Sequence, residues 1–383
     1  MKMMHKQHGT AAVTLVACMG VSAPALALDP ASFGSGGMLF TPTLGLSVTS
    51  DDNVYADQSD ESSTVLGIRP NFNISFEEGP MAYSLDYALN YRNVNSIDDG
   101  DLLDQSLAAR ASALIDQRNR LSFNAGWGQS EELAGLDEPN DEFRDTSIGA
   151  RYDFGVREAL LNAEFGAAYD QRSSRNDANL DKERDRTNLD GTLFVRISPR
   201  TQLLGGVRYV VTEYDSATRF DNTRTAFTAG ARWQATGFIS ADARAGYETQ
   251  AFDSVDRGDE DTAVWQVGLT WTPLTFSQID LSTRRALDDG DDDALSIRTT
   301  VYSLGWSHDW TSQVRSRVSI DNTRESYDTG RSDRRVDLTV QGTYALQRWA
   351  DVGVRYAYTD QSSSLADEEY DRNRYTLFVD LSF

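Results

Sequence analysis

The stretch YTLFVDLSF, residues 375–383, alternates between two kinds of residue along its whole length. One side of the alternation carries Tyr375, Leu377, Val379, Leu381 and Phe383. The positions between them hold Thr376, Phe378, Asp380 and Ser382. A period of two predicts a β-strand with one apolar face. The chain has a formal net charge of −23, and an ordinary soluble domain has no obvious need for such an apolar stripe at its end.

The first residues have the layout of an export signal. Lys2 and Lys6 give a positive start, residues 11–21 are mostly apolar, and a small-residue site, ALA, ends at Ala27. This arrangement predicts a secretory signal peptide over residues 1–27. A buried N-terminal helix is one alternative. A lipoprotein cleavage that leaves a lipidated Cys18 is another.

Removal of the signal peptide would also remove the single cysteine, Cys18. The remaining chain, residues 28–383, would then have neither a disulfide framework nor thiol chemistry. His308 would be its only histidine. We therefore expect no catalytic site that needs a histidine base, and the chain is predicted not to be an enzyme.

Alternation like that of the last nine residues recurs along the chain. Leu203, Val207 and Tyr209 share one face of a predicted strand, and Arg208 and Thr212 share the other. No apolar run approaches the roughly 18 residues of a membrane-spanning helix, and the mean hydropathy is −0.49. The chain contains about 18 alternating segments, each of roughly 10 to 14 residues.

The connections between these segments alternate in length. Short ones such as SPR and ATG follow the even strands, and long ones such as RSSRNDANLDKER and LDDGDDDALS follow the odd strands. This layout predicts an all-β fold, a transmembrane antiparallel up-and-down β-barrel with short periplasmic turns and long acidic extracellular loops. Because hydrocarbon tolerates no unpaired strand edge, the first strand should pair with the last. At Pro70, in mid-strand, we expect a local bulge.

A soluble β-sandwich is the competing fold, because its strands also alternate. Large aromatic residues near the strand ends favour the barrel, since they fall on the predicted apolar face and fit two aromatic girdles at the membrane interfaces. They are Trp127, Tyr152, Phe154, Tyr169, Tyr209, Trp233, Tyr247, Trp271, Tyr302, Trp306, Trp310, Tyr344, Tyr356 and Tyr358. His308 alternates in phase with Trp306 and Trp310, which places it in the same girdle.

The opposite, polar face of the predicted strands is rich in arginines and acids. An 18-stranded barrel encloses a lumen too wide for side chains to fill, so this face should line water. The predicted lumen-lining residues are Arg92, Arg110, Arg151, Arg196, Arg208, Arg232, Arg244, Arg315, Arg355, Asp86, Asp242 and Glu248. They predict either cross-strand ion pairs that stiffen a wet wall or a track along which a hydrophilic, anionic polymer slides.

The remaining acids concentrate in the predicted long loops, as in DDGDDDAL. We expect them to form a solvated, repelling outer surface, with divalent-cation bridging to lipopolysaccharide as an additional contact. The acidic balance disfavours nucleic acid as a partner. No loop has EF-hand spacing and no Walker loop or metal-ligand cluster occurs, so neither a metal nor a cofactor is predicted.

The first mature stretch contains Asp52-Asn53-Val54-Tyr55, an acidic loop, the step Pro70-Asn71-Phe72, and a strand with Tyr83, Tyr87 and Tyr91. In this order these elements resemble the putative β-barrel porins encoded in bacterial exopolysaccharide gene clusters. The resemblance covers about 100 residues and implies an outer-membrane pore for secreted polysaccharide in a Gram-negative cell, working with a periplasmic polysaccharide-export protein. It supplies no catalytic residues.

The end of the chain resembles that of outer-membrane barrels, whose last strand closes on an aromatic residue recognised by the barrel-assembly machinery. The resemblance implies a C-terminal insertion signal formed by Tyr375, Leu377, Val379, Leu381 and Phe383. The sequence therefore predicts a barrel of the bacterial outer membrane that assists exopolysaccharide export. A general diffusion porin and a structural or adhesive surface barrel are the alternatives.

Overall fold

The computed structural model describes residues 37–97, 100–135, 139–156, 159–216, 220–254, 258–290 and 294–383. The predicted signal peptide, residues 1–27, lies outside these residues, as does Cys18. Over the described ranges, no helix has both the length and the apolar character needed to cross a membrane.

Eighteen strands make up the described fold. The first nine are β1 Met38–Asp51, β2 Ser63–Glu78, β3 Met81–Val94, β4 Asp101–Leu114, β5 Asn119–Glu132, β6 Asp141–Phe154, β7 Leu161–Ser174, β8 Arg184–Ser198 and β9 Thr201–Tyr214. The others are β10 Asn222–Gln234, β11 Ile239–Phe252, β12 Glu260–Leu274, β13 Ser277–Asp289, β14 Ser296–Asp309, β15 Val314–Tyr327, β16 Ser332–Gln347, β17 Ala350–Ser363 and β18 Tyr370–Ser382. Two 3₁₀ turns, Asp177–Lys182 and Ala366–Glu368, lie in the connections.

The strands form one closed antiparallel sheet. Each strand pairs with its neighbours in sequence, and β1 also pairs with β18 from Thr43 opposite Ser382 to Asp51 opposite Arg374. Every strand edge is thereby used, which is the condition for a sheet to lie in hydrocarbon. The structure confirms the predicted 18-stranded barrel and the predicted pairing of its first and last strands.

Large apolar side chains cover one face of the closed sheet. Leu377 is 64% exposed, and Phe227, Val354, Phe123 and Ile148 lie on the same face of their own strands. The predicted girdle aromatics follow this pattern, and His308 contacts three aromatic rings, at 5.4 Å from Phe276, 5.6 Å from Trp306 and 4.4 Å from Trp310. This outer face is an apolar band flanked by aromatic rings, as in membrane barrels.

The connections largely follow the predicted alternation in length. The longest, residues 52–62, follows β1, and two-residue turns such as 79–80 and 199–200 follow even strands. Two connections depart from it: residues 328–331 are no longer than the turn at 235–238, and residues 155–160, after an even strand, are longer than the other turns. We call the two rims of the barrel the long-loop end and the short-turn end.

Pro70 causes no bulge, so the predicted bulge is wrong. Strand β2 stays opposite β1 in unbroken register, with Pro70 facing Leu44. On the other side Ile68 faces Tyr91 and Asn71 faces Ala88, with the same register before and after the proline. The ladder between β2 and β3 only lacks its pairings at Arg69 and Pro70, because proline has no N–H to donate.

Candidate functional site

The twelve predicted lumen-lining residues lie on the face opposite the apolar band, and most of them form ion pairs there. Arg110 Nη1 lies 2.6 Å from Asp86 Oδ2, and Arg92 Nη2 lies 3.1 Å from Asp104 Oδ2. The Arg110 side chain is 62% exposed, so water screens this pair and its contribution to stability is small. These ion pairs therefore belong to a solvated lumen wall and not to a packed core.

Further pairs continue along the wall toward the short-turn end. Arg151 contacts Asp153 at 3.1 Å and also binds Glu164. Asp242 accepts from two arginines on either side, Arg232 at 3.4 Å and Arg244 at 3.5 Å. One carboxylate thus joins side chains from β10 and β11.

The other four predicted arginines bind different partners. Arg208 Nη2 donates to Glu248 Oε1 at 2.7 Å. Arg315 Nε donates to Asp309 Oδ1 at 2.5 Å, Arg355 Nε to Gln341 Oε1 at 3.0 Å, and Arg196 Nη1 to the Pro199 carbonyl oxygen at 3.1 Å. A contribution of these residues to solute passage stays a prediction, as does the insertion signal formed by the outward stripe of β18.

Three phenylalanines also lie on the inner face, where the sequence predicted polar residues. Each has a guanidinium over its ring: Arg172 over Phe143 at 4.8 Å, Arg232 over Phe194 at 4.8 Å, and Arg355 over Phe378 at 5.4 Å. The rings are buried, because the arginines cover them. Such cation–π contacts hold long arginine side chains flat against the wall.

At the long-loop end the sheet departs from a simple barrel between β12 and β13. The pairing of these two strands stops at Trp265 opposite Arg285, whereas β13 and β14 stay paired to Asp289 opposite Ser296. We define the hairpin tip as residues 286–290 and 294–296. It peels away from β12, and Ala286, Leu287, Ala294 and Ser296 are buried.

The hairpin tip contacts strands that are not its neighbours. Leu287 N donates to Glu248 Oε2 on β11 at 3.2 Å, and the Leu287 carbonyl accepts from Arg224 Nη1 on β10 at 2.6 Å. Ser296 Oγ donates to Gln250 Oε1 at 2.8 Å. In a closed barrel, direct contacts between strands so far apart run through the interior. The hairpin tip therefore lies inside the lumen.

Asp289, at the end of β13, makes the contacts of the hairpin tip with the most distant strand. It binds Arg186, lies 3.3 Å from Arg224 Nη2 and lies 3.8 Å from Arg184 Nε. Strands β8 and β13 are five places apart around the ring. We call Arg184, Arg186, Arg224 and Asp289 the arginine–aspartate cluster, and it lies inside the lumen at the long-loop end.

The position of Asp289 corrects the expectation for the acidic loop DDGDDDAL. Its acids were expected to lie on a solvated outer surface, yet the Asp289 side chain is only 8% exposed. The physical reason is the inward bend of the hairpin tip, which brings the carboxylate to three guanidinium groups. Residues 291–293 of the same loop are outside the described residues.

The Asp52-Asn53-Val54-Tyr55 element of the first loop has a structural role. Asn53 is 1% exposed, and its Nδ2 donates to the Asp57 carbonyl at 2.6 Å and the Asp371 carbonyl at 3.1 Å. Val54 packs against Val94 and Leu102, which lie on the inner face. The Asp52-Asn53-Val54-Tyr55 element thus folds the loop onto the inside of the rim.

Several functional residues were missed from the sequence. Arg184, Arg186, Arg224 and Asp289 were not among the predicted lumen-lining residues. The order Arg184-Asp185-Arg186 does carry a signal, because a period of two puts both arginines on one face. The inward bend of the hairpin tip has no such local signal. Among the described residues, no group of three or more His, Cys, Asp or Glu is arranged to hold a metal ion.

Comparison with known families identifies the class of this barrel. The model of the family described as "Putative beta-barrel porin 2" matches residues 27–383. The chain therefore belongs to this family, which is the porin part of the predicted resemblance. Family membership and the closed barrel support an outer-membrane location. No curated protein matches the chain.

Solved structures show the same fold at low sequence identity. The FrpB iron transporter from Neisseria meningitidis, F5-1 variant, has a TM-score of 0.52 and 9% identity, covering 92% of this chain and 83% of its own. OccAB2 from Acinetobacter baumannii has a TM-score of 0.50 and 12% identity, covering 91% of this chain and 99% of its own. At these identities the likeness concerns the fold alone.

Proposed function

We propose that this porin-family barrel assists the export of an exopolysaccharide through its hydrated lumen. The observation that carries the proposal is the chemistry of the inner face, where exposed arginines alternate with carboxylates. A guanidinium offers several planar donors that suit sugar hydroxyls and carboxylates. Exposed pairs are individually weak, so a passing polymer can exchange with them one contact at a time.

The orientation and partners are part of the same proposal. Residues 1–27 would direct the chain across the inner membrane and be removed. The barrel-assembly machinery would insert the barrel through the outward stripe of β18, with the long-loop end toward lipopolysaccharide. A periplasmic polysaccharide-export protein would meet the short-turn end. Transport would be passive, with no covalent chemistry.

Deletion of the gene in its native host tests the export function. Secreted and periplasmic polysaccharide would be measured separately in the deletion strain and in a strain complemented with the intact gene. We expect polysaccharide to fall in the medium and accumulate in the periplasm, with recovery on complementation. Unchanged secretion would contradict the proposal.

A second candidate, a diffusion porin for small solutes, is favoured by the hairpin tip. The tip and the arginine–aspartate cluster occupy lumen space at the long-loop end, which suits small solutes better than a polymer. Liposome swelling with monosaccharides and with oligosaccharides of increasing length separates the two functions. A sharp cut-off at small sugars, together with normal polysaccharide secretion by the deletion strain, would favour the diffusion porin.

A further inference from the structure

The arginine–aspartate cluster holds three guanidinium groups and one carboxylate, and the hydrogen bonding between them is incomplete. Arg184, Arg186 and Arg224 all lie within 3.8 Å of Asp289, and among the described residues they form no other ion pair. The Nε atoms of all three arginines, and Asp289 Oδ1, are buried without a hydrogen-bond partner in the described part of the chain, so Asp289 fits the three guanidinium groups poorly. Buried polar groups are normally paired, so unpaired buried donors call for an explanation.

The strands that carry these arginines are held independently of Asp289. Arg184 and Arg186 stand on β8 and Arg224 stands on β10, and both strands are paired on both sides. Asp289 stands on the hairpin tip, which has already left β12. The guanidinium groups are therefore the fixed part of the cluster, and the carboxylate is on the part with the fewest sheet contacts.

We propose that the cluster is a binding site for the carboxylate group of an anionic solute, and that Asp289 occupies it in the absence of solute. A solute carboxylate offers the same two oxygens as Asp289 and would compete for the same donors. When it replaces Asp289, the hairpin tip loses its furthest attachment across the lumen. Binding at the site thus widens the passage for the solute that binds there.

This inference rests on the barrel conducting solutes, and it narrows the proposed solute to one that carries carboxylates, such as an acidic sugar. A uronic acid unit of a polymer and a free uronic acid present the same group. Free D-glucuronate is therefore a suitable probe, and D-glucose, which has the same ring without a carboxylate, is its control.

Single-channel recording on the purified full chain in planar bilayers tests the site. For the wild-type barrel, glucuronate on the long-loop side should raise the ratio of open to closed time by about tenfold or more, the size expected when a hydrogen-bonded ion pair is displaced. Glucose should leave the ratio unchanged. Equal responses to the two sugars would overturn the proposal.

We call the attachment of the hairpin tip through Asp289 the latch. Two variants separate the latch from the binding site. Asp289→Asn should be open without glucuronate, and glucuronate should then produce brief blockades as it binds the vacated arginines. The triple variant Arg184→Gln, Arg186→Gln and Arg224→Gln should also be open but should show no blockades. A wild-type pattern from Asp289→Asn would overturn the latch, and unchanged blockades in the triple variant would overturn the site.

Asp288→Asn is the matched control, because Asp288 is adjacent to Asp289 and pairs instead with Arg284 at 3.2 Å. It should gate like the wild type, and opening equal to that of Asp289→Asn would contradict a role specific to Asp289.

A crosslink between cysteines placed at Gln250 and Ser296 adds an independent test. It should hold the channel closed in glucuronate until the crosslink is cleaved, and free opening of the crosslinked channel would count against the latch. If neither the wild type nor any variant conducts, the pore function itself fails, whereas equal conduction by all of them rejects only the latch.

Discussion

Strand β11 carries two carboxylates on its inner face, one toward each end of the lumen. Asp242, toward the short turns, meets Arg232 and Arg244 at 3.4 and 3.5 Å, and its side chain is 31% exposed. Glu248, toward the long loops, has a side chain that is 1% exposed. It accepts from Arg208 at 2.7 Å and from Leu287 N at 3.2 Å. The two residues have the same chemistry in different surroundings.

The difference between them is one of solvation. An exposed pair on the wall exchanges with water and ions, so it sets the local potential while contributing little to stability. A buried carboxylate has lost its water and depends on every hydrogen bond that it accepts. The short-turn end can therefore tune selectivity, whereas the long-loop end fixes the position of a structural element.

The largest expected difference in conductance is between a variant that lacks Glu248 and one that lacks Asp242. In Glu248→Ala, the hairpin tip loses the acceptor for Leu287 N, a charged hydrogen bond that contributes about 1.5–3 kcal/mol. We expect mean bilayer conductance to rise several-fold, as the tip spends more time displaced. Asp242→Ala is the matched control on the same strand and should alter conductance only slightly. If both variants conduct alike, burial does not distinguish the two ends.

The wall arginines Arg208, Arg232 and Arg244 offer the next contrast. Replacing all three by Ala removes three positive charges from neighbouring strands, so the reversal potential in a salt gradient should shift toward cation selectivity. The barrel should remain folded, as judged by heat-modifiable migration on gels, because the outer face and the strand ladders are unchanged, although Glu248 loses the hydrogen bond from Arg208. An unchanged reversal potential would show that these side chains do not face the conducting path.

The sequence predicted the barrel because its information is local and repeated. Alternation along each strand, as in Leu203, Val207 and Tyr209, marks which face is apolar, and the loop lengths give the direction of each strand. Closure followed from the physical requirement that no edge be left unpaired. Only details of local geometry were wrong, such as the expected bulge at Pro70.

The site was predictable only in part. Arginines on the wall follow from the period of two, so Arg208 and Arg232 were identified together with their carboxylate partners Glu248 and Asp242. The arginine–aspartate cluster joins β8 and β13, which are far apart in sequence, and it exists only because the hairpin tip bends inward. A strand pattern contains no information about where pairing with a neighbour stops. Alternation placed Phe378 on the inner face, but the arginines that cover the three inward phenylalanines were missed, since alternation assigns faces without saying what covers them.

Loop 52–62 is another ordered element at the long-loop end, and Asn53 allows a test with a smaller expected effect there. Asn53→Ala removes the donors to the Asp57 and Asp371 carbonyls and the acceptor for Asp57 N. Each lost hydrogen bond contributes about 1 kcal/mol, so the loop should open locally while the barrel stays intact. We expect faster proteolytic cleavage within residues 52–62 on reconstituted protein. Asn71→Ala, which removes a single exposed contact to Thr43 at 3.4 Å, is the control and should be cleaved at the wild-type rate.

The smallest effect is expected at the short-turn end, in the connection at residues 115–118. Asp116 accepts from the backbone N–H of Arg118 at 2.7 Å and from Asn119 Nδ2 at 2.7 Å, and these hydrogen bonds lower the pKa of its carboxyl group. Because the folded pKa is lowered, the stabilisation is present above the ordinary Asp pKa of about 3.9 and is lost as the pH falls through the lowered value. Asp116→Asn should therefore melt slightly below the wild type at neutral pH, and the difference should shrink and then vanish as the pH falls through the lowered pKa of Asp116. A difference that persists when Asp116 is protonated would mean that the amide group itself destabilises the turn, and that the charge of Asp116 contributes nothing there.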